Sequence, residues 1–275
     1  MATNSIRTNL SKDTTISEIK LLLSADREKI KKIVVVEGED DTTFLSSFFN
    51  KDVILFESFS GKQGVEEIIN TREICDFRVI GIRDKDYCCR PSNKRIFFYD
   101  RCCLEMMIIE NTESFNKICH EYYKGNLESE KLKEFILNEL YMLSMLRKYN
   151  EENNNDIKFR GLKFSDFIDN ENRLIEDNLK RSIMQINGEK FIDFNCLSEI
   201  PEDFSIEEFL NITNGHDFIN FFKVVSDRTR TSNKDCPSKK HISINLRISY
   251  NNIAFVKTDM YKSIKSYFNG NIWKC

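Results

Sequence analysis

The sequence predicts an α/β fold: a parallel sheet core followed by a mainly helical region. Three observations carry this. Ile33-Val34-Val35-Val36 and Phe77-Arg78-Val79-Ile80-Gly81-Ile82 contain short apolar runs typical of strands buried on both faces of a parallel sheet. These runs, with Val53-Ile54-Leu55-Phe56 and Ile96-Phe97-Phe98-Tyr99, alternate with stretches of helical spacing. After residue 103 the strand-like runs stop and helical periodicity takes over. The expected division is an α/β core with an N-terminal helix over 1–110, and a mainly helical domain over 111–275 packed on it.

Taken in order, Thr15-Ile16-Ser17-Glu18 has a capping-box pattern, and Ile16, Ile19, Leu22 and Leu23 follow at helical spacing. Strand one is expected at 33–36. Asp40 or Asp41 then caps a helix running through Thr43, Phe44 and Leu45 to Phe49. Strand two is 53–56, and Ser58 to Gly64 forms a glycine-containing loop before a helix that buries Val65, Ile68 and Ile69. Strands three and four are expected at 77–82 and 96–99. Helices follow at 104–109, 115–123 and 132–148, with Glu151 to Asp156 as a polar break. Further helices are expected at 164–169, 170–185, 205–211 and 215–225. A basic loop, Asp227 to Lys240, then precedes a last helical segment ending near Trp273.

The chain has 275 residues, enough to bury a full core, and its 9 Gly and 3 Pro leave little room for long flexible linkers. The net charge of -3 argues mildly against a protein that coats nucleic acid, but Arg228, Arg230, Lys234, Lys239, Lys240 and His241 form a local basic cluster that can grip phosphates. The 9 cysteines are odd in number, include the adjacent pairs Cys88-Cys89 and Cys102-Cys103, and form no CxxC; with only 3 His, a structural zinc site is not expected. The polar, charged start and the lack of a long apolar stretch lead us to expect a cytoplasmic protein with reduced thiols and no membrane partner.

The chemistry is expected where the strands end. Strand one runs into Glu37-Gly38-Glu39-Asp40-Asp41 and strand three into Arg83-Asp84-Lys85-Asp86. Ligands of open α/β sheets bind outside the carboxyl ends of the strands. On a strand, Asp84 and Asp86 face one pocket and Lys85 points elsewhere. Several carboxylates together do not all stay ionised without a cation. One or two hard divalent ions are therefore expected, magnesium first and manganese as an alternative, with Glu37, Asp41, Asp84 and Asp86 as ligands. Asp41 also reads as a simple helix cap. Lys62 reads equally as a partner for a scissile phosphate or as the residue after a turn glycine. Glu105 and Asp100 are secondary candidates, Glu105 also being a first-turn acid favoured by a helix dipole. His216-Asp217 reads as a helix start with a hydrogen-bonded histidine rather than as part of a phosphohydrolase.

The pair Val36-Glu37-Gly38-Glu39-Asp40-Asp41 and Asp84-Lys85-Asp86 resembles, in kind, order and spacing, the TOPRIM fold of topoisomerases, primases and OLD-type nucleases. The resemblance covers residues 30–110 at the level of motifs. The Gly61-Lys62 loop, Asp100 to Glu105 before Met106-Met107-Ile108-Ile109, and Gly215-His216-Asp217-Phe218 are similar to the TOPRIM effectors of PARIS anti-phage systems. The resemblance implies a Rossmann-like core and a catalytic or metal-binding Glu37. It also implies metal ligands at Asp84 and Asp86, and Asp41 as the acid used for a second metal. The tyrosine-bearing domain of a topoisomerase and the accessory parts of a primase are absent. The resemblance therefore implies a magnesium-dependent endonuclease, which would be the toxic effector of a bacterial anti-phage defence system. No Walker A motif occurs, so the ABC-type ATPase sensor that such effectors work with would be a separate subunit. The resemblance favours RNA, particularly tRNA, over DNA, and a homodimer is expected when active. Arg228, Arg230, Lys239 and Lys240 would then grip nucleic acid. The rival readings are an OLD-like DNA-nicking enzyme and a non-catalytic TOPRIM subunit that docks on an ATPase.

Overall fold

The computed structural model describes residues 11–188, 190, 194, 199–230, 236–269 and 272–274. It is an α/β protein whose four strands form one all-parallel sheet in the order β2-β1-β3-β4. The strands are β1 (Lys32–Val36), β2 (Val53–Glu57), β3 (Val79–Arg83) and β4 (Ile96–Phe98). Helix α1 (Lys12–Ala25) precedes them, and α2 (Glu39–Ser46) and α3 (Gly61–Asn70) are the crossovers. The chain forms two compact units, residues 1–104 with 251–275, and residues 105–250.

In the first unit the central strands are continuous apolar runs because both faces are covered. Ile33, Val34, Val35 and Val36 of β1 are fully buried, as are Val79, Ile80 and Ile82 of β3. On one face Ile33, Val35 and Val79 pack with Ile16 and Ile19 of α1 and Val65, Ile68 and Ile69 of α3. Gly81 lets α3 lie close on β3: a Cβ there would come within 2.7 Å of Val65 Cγ1 and 3.0 Å of Ile69 Cγ1. Phe44 and Phe48, in and just after α2, join an aromatic group with the far end of the chain. Phe48 stacks on Phe255 at 3.9 Å, and Phe49 stacks on Trp273 at 4.4 Å. The Asn50 amide donates to the Ile272 carbonyl and the Lys274 amide to that of Phe48.

These contacts explain why 251–275 belongs with the sheet, whereas the sequence groups it with the helical region. That tail holds α11 (Asn252–Phe255) and α12 (Asp259–Phe268), which lie within the last helical segment expected from sequence. Trp273 lies beyond them, in an isolated antiparallel bridge to Phe49.

The second unit is helical: most of α4 (Leu104–Glu110), then α5 (Thr112–Tyr122), α6 (Ser129–Asn153), α7 (Glu176–Asn187), α8 (Ile206–Ile212), α9 (Gly215–Arg228) and α10 (Lys239–Ser249). Its core is aromatic, with Phe115 edge-on to Phe218 and Phe222 and Phe135 edge-on to Phe221. Three sequence expectations need correction. Helix α6 runs through the first half of the polar break and stops at Asn154, whose left-handed φ of 52° caps it. Residues 164–169 hold only a 3-10 turn at Phe164–Asp166, because this stretch is too short to fill a helical face. The end of the basic loop is helical, with the Ser238 hydroxyl capping α10 through the His241 amide. Among the described residues no helix is long and apolar enough to cross a membrane.

Gly81→Ala is expected to destabilise the protein by about 1–3 kcal/mol through overpacking against Val65 and Ile69, measured by urea unfolding.

Candidate functional site

Glu37 is the first residue after β1, and β3 is that strand's parallel neighbour, so their carboxyl ends lie side by side. The backbone amide of Asp84 donates to Glu37 Oε1 at 2.8 Å, linking the two ends directly. Asp84 Oδ1 accepts from the Leu104 amide at 3.0 Å, where α4 begins. Asp41 lies in the first turn of α2, with Gly38 rather than an aspartate as the N-cap residue. Its Oδ2 accepts from the Gly38 amide at 3.1 Å and its Oδ1 from the Tyr99 hydroxyl at 2.7 Å. Asp86 Oδ2 accepts from Lys62 Nζ at 3.0 Å.

The strand argument for Asp84 and Asp86 needs correction. Strand β3 ends at Arg83, and Asp86 has a left-handed φ of 48°. Asp86 is therefore placed by a turn, which its amide secures by donating to the Cys102 carbonyl at 2.7 Å, and not by strand alternation.

Lys62 is the second residue of α3, which starts at Gly61 rather than after Gly64. Gly61 takes a φ of +50°, and a Cβ there would sit 3.7 Å from Glu37 Oε2. The turn is held by the Ser58 hydroxyl, 2.7 Å from the Gly61 carbonyl oxygen.

Burial pushes the Glu37 carboxyl up to about 7, and the negative charges of Asp41 and Asp86 add to the rise against the Asp84 amide and Arg83. Tyr99 is fully buried, and its phenol is held well above the usual range by that burial and by Asp41.

Two contributors escape a reading based on acidic motifs. Tyr99 ends the strand-four run and pins Asp41. Arg83 is 5% exposed; it donates to Glu66 at 2.8 Å and to the Asp84 carbonyl at 2.6 Å, and lies 4.6 Å over the Phe98 ring. A charged residue closing the apolar run of β3 was the available signal, since a buried guanidinium requires partners.

A hard divalent cation fits this donor set chemically: four carboxylates, among which burial first, and the charges of Asp41 and Asp86 after it, push Glu37 towards protonation. Among the described residues, however, no three His, Cys, Asp or Glu side chains are arranged to hold a metal ion. Each of the four carboxylates has at least one oxygen on a protein donor.

The remaining candidates are elsewhere in the two units. Asp100 accepts from the Asp259 and Met260 amides at 2.8 and 2.9 Å, so it caps α12. Glu105 belongs to the second unit, where its Oε1 lies 3.7 Å from His216 Nδ1. His216 is exposed rather than hydrogen-bonded through its ring, while Asp217 is buried and forked by Arg147 at 2.5 and 2.8 Å.

Arg228 donates to the Ile168 and Asp169 carbonyls and to Asn172, and Arg230 to the Glu121 and Tyr122 carbonyls at the end of α5. Both arginines thus brace the second unit. Lys239 is half-buried and its ammonium is lowered by that burial, with Asp217 and Glu105 opposing the shift. Lys240 is exposed, and Lys234 lies outside the described residues.

In comparison with known proteins, no family model matches the chain and no curated protein matches it.

Two outcomes are expected. The raised Glu37 group stabilises the fold fully below its unfolded value near 4.5, and that contribution is lost as pH rises through about 7. With chelator present, urea unfolding should show a loss of roughly 2–3 kcal/mol across this window that Glu37→Gln abolishes. Tyr99→Phe should cost about 1–2 kcal/mol in the same assay by leaving Asp41 without its buried donor.

Proposed function

We propose that this chain is a divalent-metal-dependent endonuclease acting on nucleic acid, with RNA favoured over DNA. The observation that carries the reading is the hydrogen bond from the Asp84 amide to Glu37, which gathers the acidic ends of two adjacent parallel strands at the position where open α/β sheets bind ligands. The TOPRIM-like order of Glu37-Gly38 and Asp84-Lys85-Asp86 supports the same reading.

Glu37, Asp84 and Asp86, with Asp41 for a second ion, would hold magnesium or manganese. Bound there, the metal supplies Lewis acidity and lowers the pKa of water. Glu37 would serve in one of two ways. As a metal ligand it requires its ionised form. If the ion rests on the three aspartates alone, Glu37 is a carboxyl that burial raises and that can hold or release a proton. Lys62 offers an ammonium to a phosphate oxygen, and Lys239 and Lys240 remain for backbone contacts. By resemblance, the biological role is that of a bacterial anti-phage effector, dimeric when active and governed by a separate ATPase.

A second reading, a docking subunit with little catalysis, is favoured by the lack, among the described residues, of three His, Cys, Asp or Glu side chains arranged to hold a metal ion. Expression of wild type and Glu37→Ala in bacteria separates the two, with RNA ends sequenced and the chromosome inspected. We expect discrete new RNA ends, reduced by about 10²–10⁴-fold in the mutant. Broken DNA with intact RNA would move the substrate to DNA. Identical behaviour of both proteins, with an ATPase partner and trigger supplied, would leave only the docking reading.

A further inference from the structure

We propose that the groove at the amino end of β3 binds single-stranded nucleic acid, with a base stacked on Phe77 and a backbone phosphate met by Lys29. The inference rests on the nucleic-acid reading above and names the form of the ligand and the residues that grip it. The groove lies the length of β3 away from Glu37 and Asp84, at the other end of that strand.

The groove has a volume of about 540 Å³, within the range of ligand sites, and lies between α1 and the chain that enters β3. Leu23 and the buried Ile74 give it apolar walls, and Phe77, 60% exposed, gives it an aromatic one. A single exposed phenylalanine is ordinary. This one has the Lys32 ammonium 5.7 Å from its ring centroid, and Phe268 of α12 meets the same ammonium at 5.9 Å. The Lys32 ammonium also donates to the Lys29 carbonyl at 3.4 Å, so the two lysines sit at one edge of the ring. Arg78 and Lys20 line the groove too, but Arg78 is matched by Asp76 and Asp26, and Lys20 by Glu73. Among the described residues no carboxylate lies within ion-pair distance of Lys29 or Lys32, although the charge of Lys29 reaches Asp76. Positive charge beside an open aromatic face suits a ligand with a flat π surface on an anionic chain. That is the chemistry of an unstacked nucleotide in a single strand.

One carboxylate holds both parts in place. Asp26 accepts from the amides of Ile30 and Lys31 at 3.3 and 2.8 Å, which fixes the turn carrying Lys29 at a left-handed φ of 56°. Its Oδ2 also accepts from the Arg78 guanidinium at 2.9 Å, and Arg78 grips Asp76 across the intervening Phe77. The residues on both sides of the ring are thus tied to the lysine turn, and a base docks with little ordering left to do.

The test is fluorescence anisotropy of the full chain with labelled oligoadenylate, with chelator present so that the strand stays intact. Wild type should bind the single strand more tightly than a duplex of equal length. Phe77→Ala and Phe77→Leu should both weaken binding about tenfold, because leucine keeps the bulk and loses the π face. Phe77→Trp should retain it. Lys29→Ala should weaken it by a smaller factor and lower the salt slope by about 0.7. Alkylation of Cys75, an exposed thiol that lines the groove, should slow when the strand is bound. Ile253→Ala, at another exposed apolar residue of the same unit, should bind like wild type. Thermal unfolding checks that each variant is folded. The proposal is overturned by absence of single-strand binding, by equal affinity for duplex, by Phe77→Leu matching wild type, or by unchanged alkylation of Cys75. A free nucleoside monophosphate that competes at the strand's own concentration would make this a nucleotide site and also overturn it. The assay contains no metal, so its failure leaves the nuclease reading to the Glu37→Ala comparison. A strand held through Phe77 by a chain that cleaves nothing would lose the nuclease reading and keep the groove.

Discussion

Glu37 is carried by folding to a place where its charge is poorly solvated, and the group that meets it there is the backbone amide of Asp84. A buried carboxylate needs donors, and this one comes from the neighbouring strand's exit. The same bond therefore satisfies Glu37 and sets where the chain leaves β3. The paths to Leu104 and to Asp86 both start from that exit. Parallel pairing of β1 with β3 is the precondition, since antiparallel neighbours would put these two ends on opposite edges of the sheet.

Around this bond the supporting residues act through rigidity. Tyr99 and Gly38 hold the two oxygens of Asp41 from different directions, so that side chain has little rotational freedom. Arg83 ties the Asp84 carbonyl to Glu66 of α3 while stacking on Phe98. Strand β4 is only three residues long, yet the residue after it, Tyr99, reaches across to helix α2. A site held this way favours a defined arrangement of charge over adaptability.

Much of the sheet unit was legible in the sequence. Ile33 to Val36 and Val79 to Ile82 could only be strands buried on both faces, and their acidic ends followed from order alone. Asp86 was found for the wrong reason: a left-handed turn carries no hydrophobic pattern, and strand alternation was extended past Arg83, where the strand ends. Tyr99 looked like one more aromatic in a strand, because a hydrogen bond spanning 58 residues leaves no local trace. Arg228 and Arg230 were read as groups that grip nucleic acid. Their partners are backbone carbonyls, which any sequence supplies and none advertises. The place of 251–275 was hidden likewise, since aromatic stacking between Phe48 and Phe255 has no periodicity to read.

That closing segment also sets an order of events during synthesis. Phe48 and Phe49 are made early, but the rings that cover them, Phe255 and Trp273, are made only after the whole of residues 105–250. At ordinary translation rates the wait is on the order of ten seconds, long compared with hydrophobic collapse. In that interval the helix bearing Asp41 has an uncovered aromatic flank, while the helical unit, being continuous in sequence, has all it needs to fold. The nascent chain is thus most exposed to chaperones and proteases on its sheet side, and a copy cut short before residue 255 would carry every acidic residue of the cluster on an unfinished support.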